Sequence, residues 1–429
     1  MSTICILSRP SSQSCSFGHL GPPSCTKTPN PFYSSRLTVN FVGSSTGGIS
    51  LSNYHEHIPK GSCFAVLLIN LFLSCILHAA EPNPSSQTEW ANVLKKAHEE
   101  GQLTIYGSTK YDLLFAEFQK QYPQIKVTVS TTRGSDVISR LMSERRAGRY
   151  LVDLHLGSAN ASYLLYKAKI VDRLKPVLML VEITDESKWW GAKHRYLDGE
   201  REYIFSFDGE AQMLFGYNTN LVNPNDLKSL WDLLDPKWKG RIVGLDPTNQ
   251  IGIGVGLRFL YYNPDLGAPF LRRLLGEMDL VASRDTRQIG DWLAVGNYAL
   301  SVFTDPTRTG LDVAKKQGLP VDWFGPKAFR EGVPLSSSTG NVALMDKAPH
   351  PAAARVAINW LLSRNGQTAY QGIFNEPDSL RIDVPKDAVP RESRRTADAK
   401  YVEIDRADRM DMEPIFKIVD EVWKKGKRG

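Results

Sequence analysis

The chain has 429 residues, 42% hydrophobic, 23% charged and 10% aromatic, with 52 Lys and Arg against 46 Asp and Glu. That composition excludes a collagen-like, wholly disordered or multi-spanning membrane chain, and the length allows two or three compact units of roughly 150 residues. All five cysteines (Cys5, Cys15, Cys25, Cys63, Cys75) precede residue 81, so residues 81–429 hold no disulfide, thiolate metal site or cysteine nucleophile.

Residues 1–60 carry 13 serines and five charges, Arg9, Lys27, Arg36, Glu56 and Lys60, with no apolar periodicity. Such a stretch buries too little apolar surface to offset ordering, so 1–62 reads as a disordered or misassigned N-terminal extension. Cys63–Ala80 is uncharged and apolar, preceded by Lys60 and followed by polar residues. Three readings stay open for it: a secretory signal cleaved near Ala79 or Ala80, a lipoprotein signal with Cys75 lipidated, or an uncleaved anchor. A Ser-rich, acid-poor organelle transit sequence is the alternative for 1–62. Residues 1–80 hold four basic residues and one acidic, leaving 48 and 45 in the body. The only basic run in the body, Lys424 to Arg428, reads as a solvated tail, so no nucleic-acid partner is expected.

From residue 88 strands and helices alternate. Glu89–Glu100 reads as a helix capped by Thr88 and ended by Gly101, and Leu103–Tyr106 as a strand ending at Gly107-Ser108. Tyr111–Tyr122 has Leu114, Phe115 and Phe118 on one helical face, with Pro123 as the stop. Ile125–Ser130 alternates as a strand, and Ser135 or Asp136 opens a helix through Leu141 to Gly148. Val152–Leu156 is a strand before a helix holding Leu164 and Leu165. Further on, Tyr203–Phe207, Met213–Tyr217, Arg241–Leu245, Leu280–Ala282, Ala299–Phe303, Val333–Leu335 and Val342–Met345 read as strands. Leu227–Leu234, Ile251–Tyr262, Asp285–Val295, a segment from Thr307 or Thr309 to Gln317, Ala352–Leu362 and Glu413–Lys424 read as helices. The alternation implies βαβ units and a largely parallel sheet, with ligands beyond the carboxyl ends of the strands.

Three junctions in the first half offer small residues, hydroxyls and free N–H groups at helix starts: Gly107-Ser108-Thr109, Arg133-Gly134-Ser135, and Gly157 to Asn160. Each suits an anion or oxygen ligand, or serves simply as a helix cap. No phosphate-binding Walker loop, nucleophile elbow or His-Glu-x-x-His motif occurs, and no positive sign of an enzyme is present. Gly252, Gly254 and Gly256 sit within a helix and read as a close-packing face. His98, His155, His194 and His350 are scattered, and His155 in an apolar strand reads as a satisfied core histidine.

Several collinear segments carry a family resemblance. They are Gly101–Ser108, Phe118 with Tyr122-Pro123, Arg133–Ser135, Arg140 with Glu144, Gly216–Thr219, Trp231–Arg241, and Ala352–Ala354 with Asn359–Ser363. The body resembles an extracellular solute-binding protein of an ABC importer, in the ferric-iron-binding-like group of family 1. The resemblance implies an α/β, two-lobed periplasmic-binding-protein-like fold of type II, with mixed or parallel sheets flanked by helices and joined by a hinge. Lobe 1 would span 83–209 with 333–429 returning to it, and lobe 2 would span 210–332. It also implies export to the periplasm or the cell exterior, a small-molecule ligand, permease subunits as partners, and a monomer.

Ferric binders of the family place adjacent tyrosines after the strand that follows a Gly-acidic turn. The equivalent run here is Gly296 to Arg308, and the pair would fall at Pro306-Thr307, neither of which is tyrosine. Tyr261-Tyr262 is adjacent but sits at a helix end, a packing position. The expected ligand is therefore a small organic anion bearing phosphate, phosphonate or carboxylate, with ferric iron as the alternative and an exported enzyme on the same fold as a third reading. The expected ligand residues are Ser108, Thr109, Arg133, Gly134, Ser135, Ser158, Asn160, Tyr217, Thr248, Asp305, Thr307 and Arg308, with no catalytic residues, resident metal or cofactor. Arginine would supply bidentate contacts to the anion, and Asp305 would receive a ligand amine or a metal.

Overall fold

The computed structural model describes residues 84–131, 134–248, 253–337, 339–375 and 377–426. The expected extension (1–62) and hydrophobic segment (63–80) lie outside them. No helix among the described residues is long and apolar enough to cross a membrane.

The chain begins with the helix Pro84–Glu100, then strand β1 (Gln102–Gly107), the helix Tyr111–Gln121 and strand β2 (Lys126–Thr131). Tyr111, Leu114, Phe115 and Phe118 are buried on one face of the connecting helix, the spacing of an amphipathic helix on a sheet. β1 and β2 pair in parallel from Gln102↔Lys126 to Gly107↔Thr131. The helix Gly134–Arg146 then leads to β3 (Leu154–Gly157), also parallel to β1. The helix Ala159–Lys167 and the short strands β4 (Val171–Asp172), β5 (Arg195–Tyr196) and β6 (Ile204–Ser206) complete this stretch.

β7 (Glu210–Ala211) and β8 (Phe215–Asn218) follow, then β9 (Ile242–Leu245), the helices Gly254–Tyr262 and Gly267–Glu277, and β10 (Val281–Ser283). Next come the helix Thr286–Ala294, β11 (Leu300–Val302), the short helices Pro306–Thr309 and Leu311–Lys316, and β12 (Val321–Trp323). β13 (Val333–Ser336) and β14 (Asn341–Met345) precede the helices Pro351–Leu362 and Arg364–Phe374. β15 (Tyr401–Glu403) and the helix Glu413–Gly426 end the described chain.

These strands form three sheets. The first runs β2-β1-β3-β14-β6-β5, with β4 paired to β14; the second runs β10-β9-β11-β8-β12; the third is a ribbon, β15-β13-β7. The first sheet is buried on both faces. Leu103, Ile105, Leu154 and Leu156 join one core with the helices Tyr111–Gln121 and Pro351–Leu362. Tyr106, Val137, Leu141 and Leu165 join another on the opposite face. Coverage on both sides is what parallel strands require. The second sheet has its own core around Ile242, Val243, Leu257, Phe270 and Val302.

That second core also takes Val402, Ile404, Ile415, Ile418, Val419 and Trp423. The expectation that 333–429 returns as a whole to the first lobe is therefore corrected: residues 341–374 do so, 333–336 form β13 of the ribbon, and 402–423 pack on the second. Each large apolar side chain so buried contributes roughly 1.5–3 kcal/mol, enough to fix the last helix there. Three helices escape the sequence reading, the short Val181–Thr184 and the longer Gly267–Glu277 and Arg364–Phe374, while Leu227–Leu234 is a 3₁₀ turn from Leu230 to Leu234. Of the three glycines expected to pack closely, Gly256 does so, since a Cβ there would lie 2.6 Å from the Phe303 ring; a Cβ at Gly254 would meet nothing within 4 Å, and Gly252 lies outside the described residues.

The ladder registers fix how the two larger sheets face. Ser206 at the end of β6 pairs with Asn341 at the start of β14, which pairs with Gly157 at the end of β3. Phe215 at the start of β8 is level with Val302 at the end of β11, and Trp323 at the end of β12 is level with Gly216. Both crossovers, 207–214 and 324–340, thus leave one sheet and enter the other at their carboxyl edges. Eight residues span at most roughly 28 Å even when fully extended. The two carboxyl edges therefore lie opposite each other, with the ribbon of β7, β13 and β15 between the sheets.

Candidate functional site

On the first sheet, Ser108 follows the end of β1, half-buried, and its N–H donates to Leu156 O at 3.1 Å. Thr109 beside it is exposed, and Lys110 has a left-handed φ of 73°. The Lys110 ammonium donates to Phe374 O at 3.2 Å, which holds it against the Arg364–Phe374 helix. Gly134 and Ser135 are the first residues of the Gly134–Arg146 helix, but Arg133 and the Ser135 side chain lie outside the described residues. Ser158 is the N-cap of the Ala159–Lys167 helix; its Oγ accepts the Ala161 N–H at a long 3.4 Å. Asn160 is exposed in the first turn of that helix. The first edge thus collects Ser108, Thr109, Gly134, Ser158 and Asn160, with helix starts that favour negative charge.

On the second sheet, Thr248 follows the end of β9. Its hydroxyl donates to Asp246 Oδ1 at 2.7 Å and its N–H donates to the same oxygen at 2.9 Å. Arg284 pairs with the other Asp246 oxygen at 2.9 Å. Burial works against the Asp246 charge, yet these hydrogen bonds leave its carboxyl below the usual range. Asp305 follows β11 and is an N-cap, accepting the Arg308 N–H at 2.9 Å. One of its oxygens is therefore already committed to the backbone, which explains the acidic residue without a ligand. Thr307 and Arg308 are exposed in the following turn, and among the described residues no carboxylate pairs with Arg308.

Tyr217 is not part of either edge. β8 runs antiparallel to β11, so its start at Phe215 faces the crossovers and Tyr217 pairs with Leu300, two residues deeper. Its ring is buried and packs on Phe324 with centroids 4.6 Å apart. The expectation for Tyr217 is corrected: the antiparallel pairing sets it back from the carboxyl edge, and its ring is taken up by packing on Phe324. Tyr261 and Tyr262 form a T-shaped pair, and the Tyr262 hydroxyl donates to Asp411 O at 2.7 Å, a packing role.

His155 was expected to be satisfied and is only half so. It is buried in β3, and Nδ1 bonds Tyr106 O at 3.1 Å. A carbonyl only accepts, so Nδ1 carries the proton; burial lowers the ring to about 4, leaving it neutral. Nε2 has no partner among the described residues. No sequence signal distinguishes this from a fully paired core histidine.

A buried polar chain runs along the ribbon. Arg258, in the second-lobe helix Gly254–Tyr262, pairs with Asp405 at 2.9 Å and donates to Ile404 O at 2.9 Å. Asp405 accepts from the Ser336 hydroxyl at 2.8 Å and the Ser337 N–H at 2.6 Å. The Ser337 hydroxyl donates to Asp208, which also accepts from the Tyr370 hydroxyl at 2.7 Å. Tyr370 bonds Thr339 at 3.0 Å, and Tyr111, at the start of the helix beyond Ser108, donates to Thr339 O at 2.7 Å. Burial pushes the Asp208 carboxyl up to about 6.

A cavity of about 530 Å³ lies beside this chain, lined by Arg195, Arg201, Asp208, Ser337, Glu403 and Asp405 among others. None of the expected ligand residues lines it. Its charges are largely paired, Arg195 with Glu403 at 3.0 Å and Arg406 with Asp408 at 3.0 Å. Among the described residues, no group of three or more His, Cys, Asp or Glu is placed to hold a metal ion.

The family profile described as "Bacterial extracellular solute-binding protein" matches residues 100–368. Iron uptake protein A1 of Synechocystis sp. is 26% identical over 155 residues, 35% of this chain and 39% of that protein. The alignment therefore spans well under half of that relative. The fold is similar to that of Trichodesmium IdiA (FutA) in complex with iron and citrate, at TM-score 0.57 and 20% identity, covering 75% of this chain and 99% of that one. Apo FutA2 from Synechocystis PCC6803 gives TM-score 0.54 at 16% identity, with 75% and 99% covered. Iron-bound HitA from Pseudomonas aeruginosa gives 0.51 at 16%, with the same coverage. At these identities the structural likeness establishes the fold.

Proposed function

Because the chain belongs to the bacterial extracellular solute-binding proteins, we propose that it is the capturing component of an ABC importer whose cargo is ferric iron carried as a complex with a small organic anion. The observation that carries this reading is the make-up of the two facing edges. They offer helix starts, the Ser108 and Thr109 hydroxyls, and the cations Lys110 and Arg308, with few anionic oxygens. Fe³⁺ is hard and needs several anionic oxygen donors. In an anionic chelate the organic partner supplies those donors, and the edges bind the chelate's negative charge. The similarity to IdiA (FutA) with iron and citrate, to iron-bound HitA and to iron uptake protein A1 supports the metal.

Capture works by lobe closure over the ligand, with the crossovers at the ribbon as the hinge. The closed form presents both lobes to the permease, and no covalent step is involved. We further propose that 63–80 directs export; the N-terminal sequence of the mature protein tests this, and a start at Met1 would refute it.

The test is titration calorimetry and thermal stabilisation with ferric citrate, citrate alone and Fe³⁺ as its nitrilotriacetate. Saturation with ferric citrate at one equivalent is expected, with about 2.7 kcal/mol of stabilisation at a hundredfold excess over Kd. The second reading is an organic anion without iron, and the missing metal-ligand cluster among the described residues favours it. Citrate binding as tightly as ferric citrate would establish that reading instead. Turnover of the anion would refute both.

A further inference from the structure

At the carboxyl edge of the first sheet, Gly157 leaves a notch where a side chain would stand. A Cβ there would lie 3.1 Å from both Cε1 and Nε2 of His155 and 3.6 Å from the Ser108 hydroxyl. The imidazole edge and the Ser108 Oγ therefore border the same small space, directly below the start of the Ala159–Lys167 helix. The His155 tautomer is fixed from behind by Tyr106 O, so Nε2 offers a lone pair and no proton. It is buried and has no hydrogen-bond partner among the described residues. The Ser162 hydroxyl, in the first turns of the same helix, is likewise buried without a partner. Buried acceptors are rarely left unpaired without a reason. Ser108 sits one residue beyond β1, at the carboxyl edge of the first sheet.

A lone pair repels a carboxylate or phosphate oxygen but accepts from a hydroxyl. The helix start beside it favours the anionic group. We propose that His155 is a solute-binding residue that reads a hydroxyl next to the anionic group, so that the organic anion is a hydroxy acid. This rests on the second reading, an iron-free organic anion held at the first edge, because a hydroxyl that chelates Fe³⁺ has lost the proton Nε2 would accept; it adds the selection rule. Simple carboxylates of the same charge pair poorly, because their oxygens leave Nε2 unsatisfied while the hydroxy acid satisfies it.

Citrate and tricarballylate test the rule, since they differ by one hydroxyl. Both are titrated against the full body of the protein, unmodified and as His155→Phe. A single hydrogen bond at a buried acceptor gives about tenfold tighter binding of citrate. In His155→Phe the preference falls to within about twofold, with tricarballylate affinity kept. Equal affinities in the unmodified protein, or a preference that survives His155→Phe, would overturn the assignment while leaving the anion reading intact. Binding of neither anion would remove the assignment together with the iron-free anion reading, and would leave the ferric chelate reading standing. The ¹⁵N resonance of Nε2 gives a readout that needs no variant. It shifts on citrate and not on tricarballylate, and a resonance unmoved by saturating citrate also overturns the assignment.

Discussion

Asp208 sits where the first crossover leaves the first sheet, and its charge bears on the stability of the hinge. The carboxylate is buried, accepts from Ser337 and Tyr370, and packs on the Gly340 backbone so closely that a Cβ there would lie 2.2 Å from Cγ. Burial raises it from 3.8 to about 6, with the nearby Asp405 charge adding to the rise and the two hydroxyls opposing it. The native state therefore holds its proton more tightly than the unfolded chain. The stability this contributes is fully present below the unfolded value near 3.8 and is lost as pH rises through about 6. The difference of about two pKa units corresponds to roughly 3 kcal/mol. Asp208→Asn removes the titration. It also leaves one of the two hydroxyls facing an amide N–H, a pH-independent cost of about 1–3 kcal/mol. The variant is thus expected to be less stable than the unmodified protein at pH 4 and to reach parity or better at pH 7.5. Urea unfolding at half-unit steps from pH 4 to 7.5 measures the difference between the two proteins, in which the titration of every other carboxyl cancels. A difference that stays flat across this range would refute the reasoning.

Three further outcomes are expected. Arg258→Leu leaves Asp405 buried without its cation at the point where the second lobe meets the ribbon. It should cost about 3–5 kcal/mol in urea unfolding, most of it recovered by adding Asp405→Asn. Gly290→Ala places a Cβ 2.1 Å from Thr309 O, a backbone atom that cannot swing aside, and should lower stability by at least about 1–3 kcal/mol. Tyr217→Phe should leave ferric citrate affinity within twofold in calorimetry, whereas a larger loss would return Tyr217 to the site.

The sequence alone determined the local grammar of the body. Leu114, Phe115 and Phe118 fall on one helical face whatever surrounds them, and Gly107-Ser108 and Gly157-Ser158 end strands because small residues permit the turn into a helix. The collinear motifs from Gly101 to Ser363 carried the family, and the cysteine-free body followed from counting. Caps were legible in the same way, but their consequence was not. Asp305 and Thr248 read as ligand residues, and only the structure shows that Asp305 also caps its own helix and that the Thr248 hydroxyl bonds Asp246.

What tertiary structure decided is everything that depends on direction or on a distant partner. The apolar stripe of the last helix announces burial but does not say which core receives it. Tyr217 needed the antiparallel pairing of β8 with β11 to be placed, since side-chain alternation is the same for either strand direction. Arg258, Asp405, Ser337, Asp208 and Tyr370 span 198 positions in the chain and form one chain of contacts only because both crossovers meet at the ribbon. His155 shows the limit most plainly. Its place in an apolar strand is written in the sequence, but a missing hydrogen-bond partner is a property of the space around Nε2, which only the packed neighbours define.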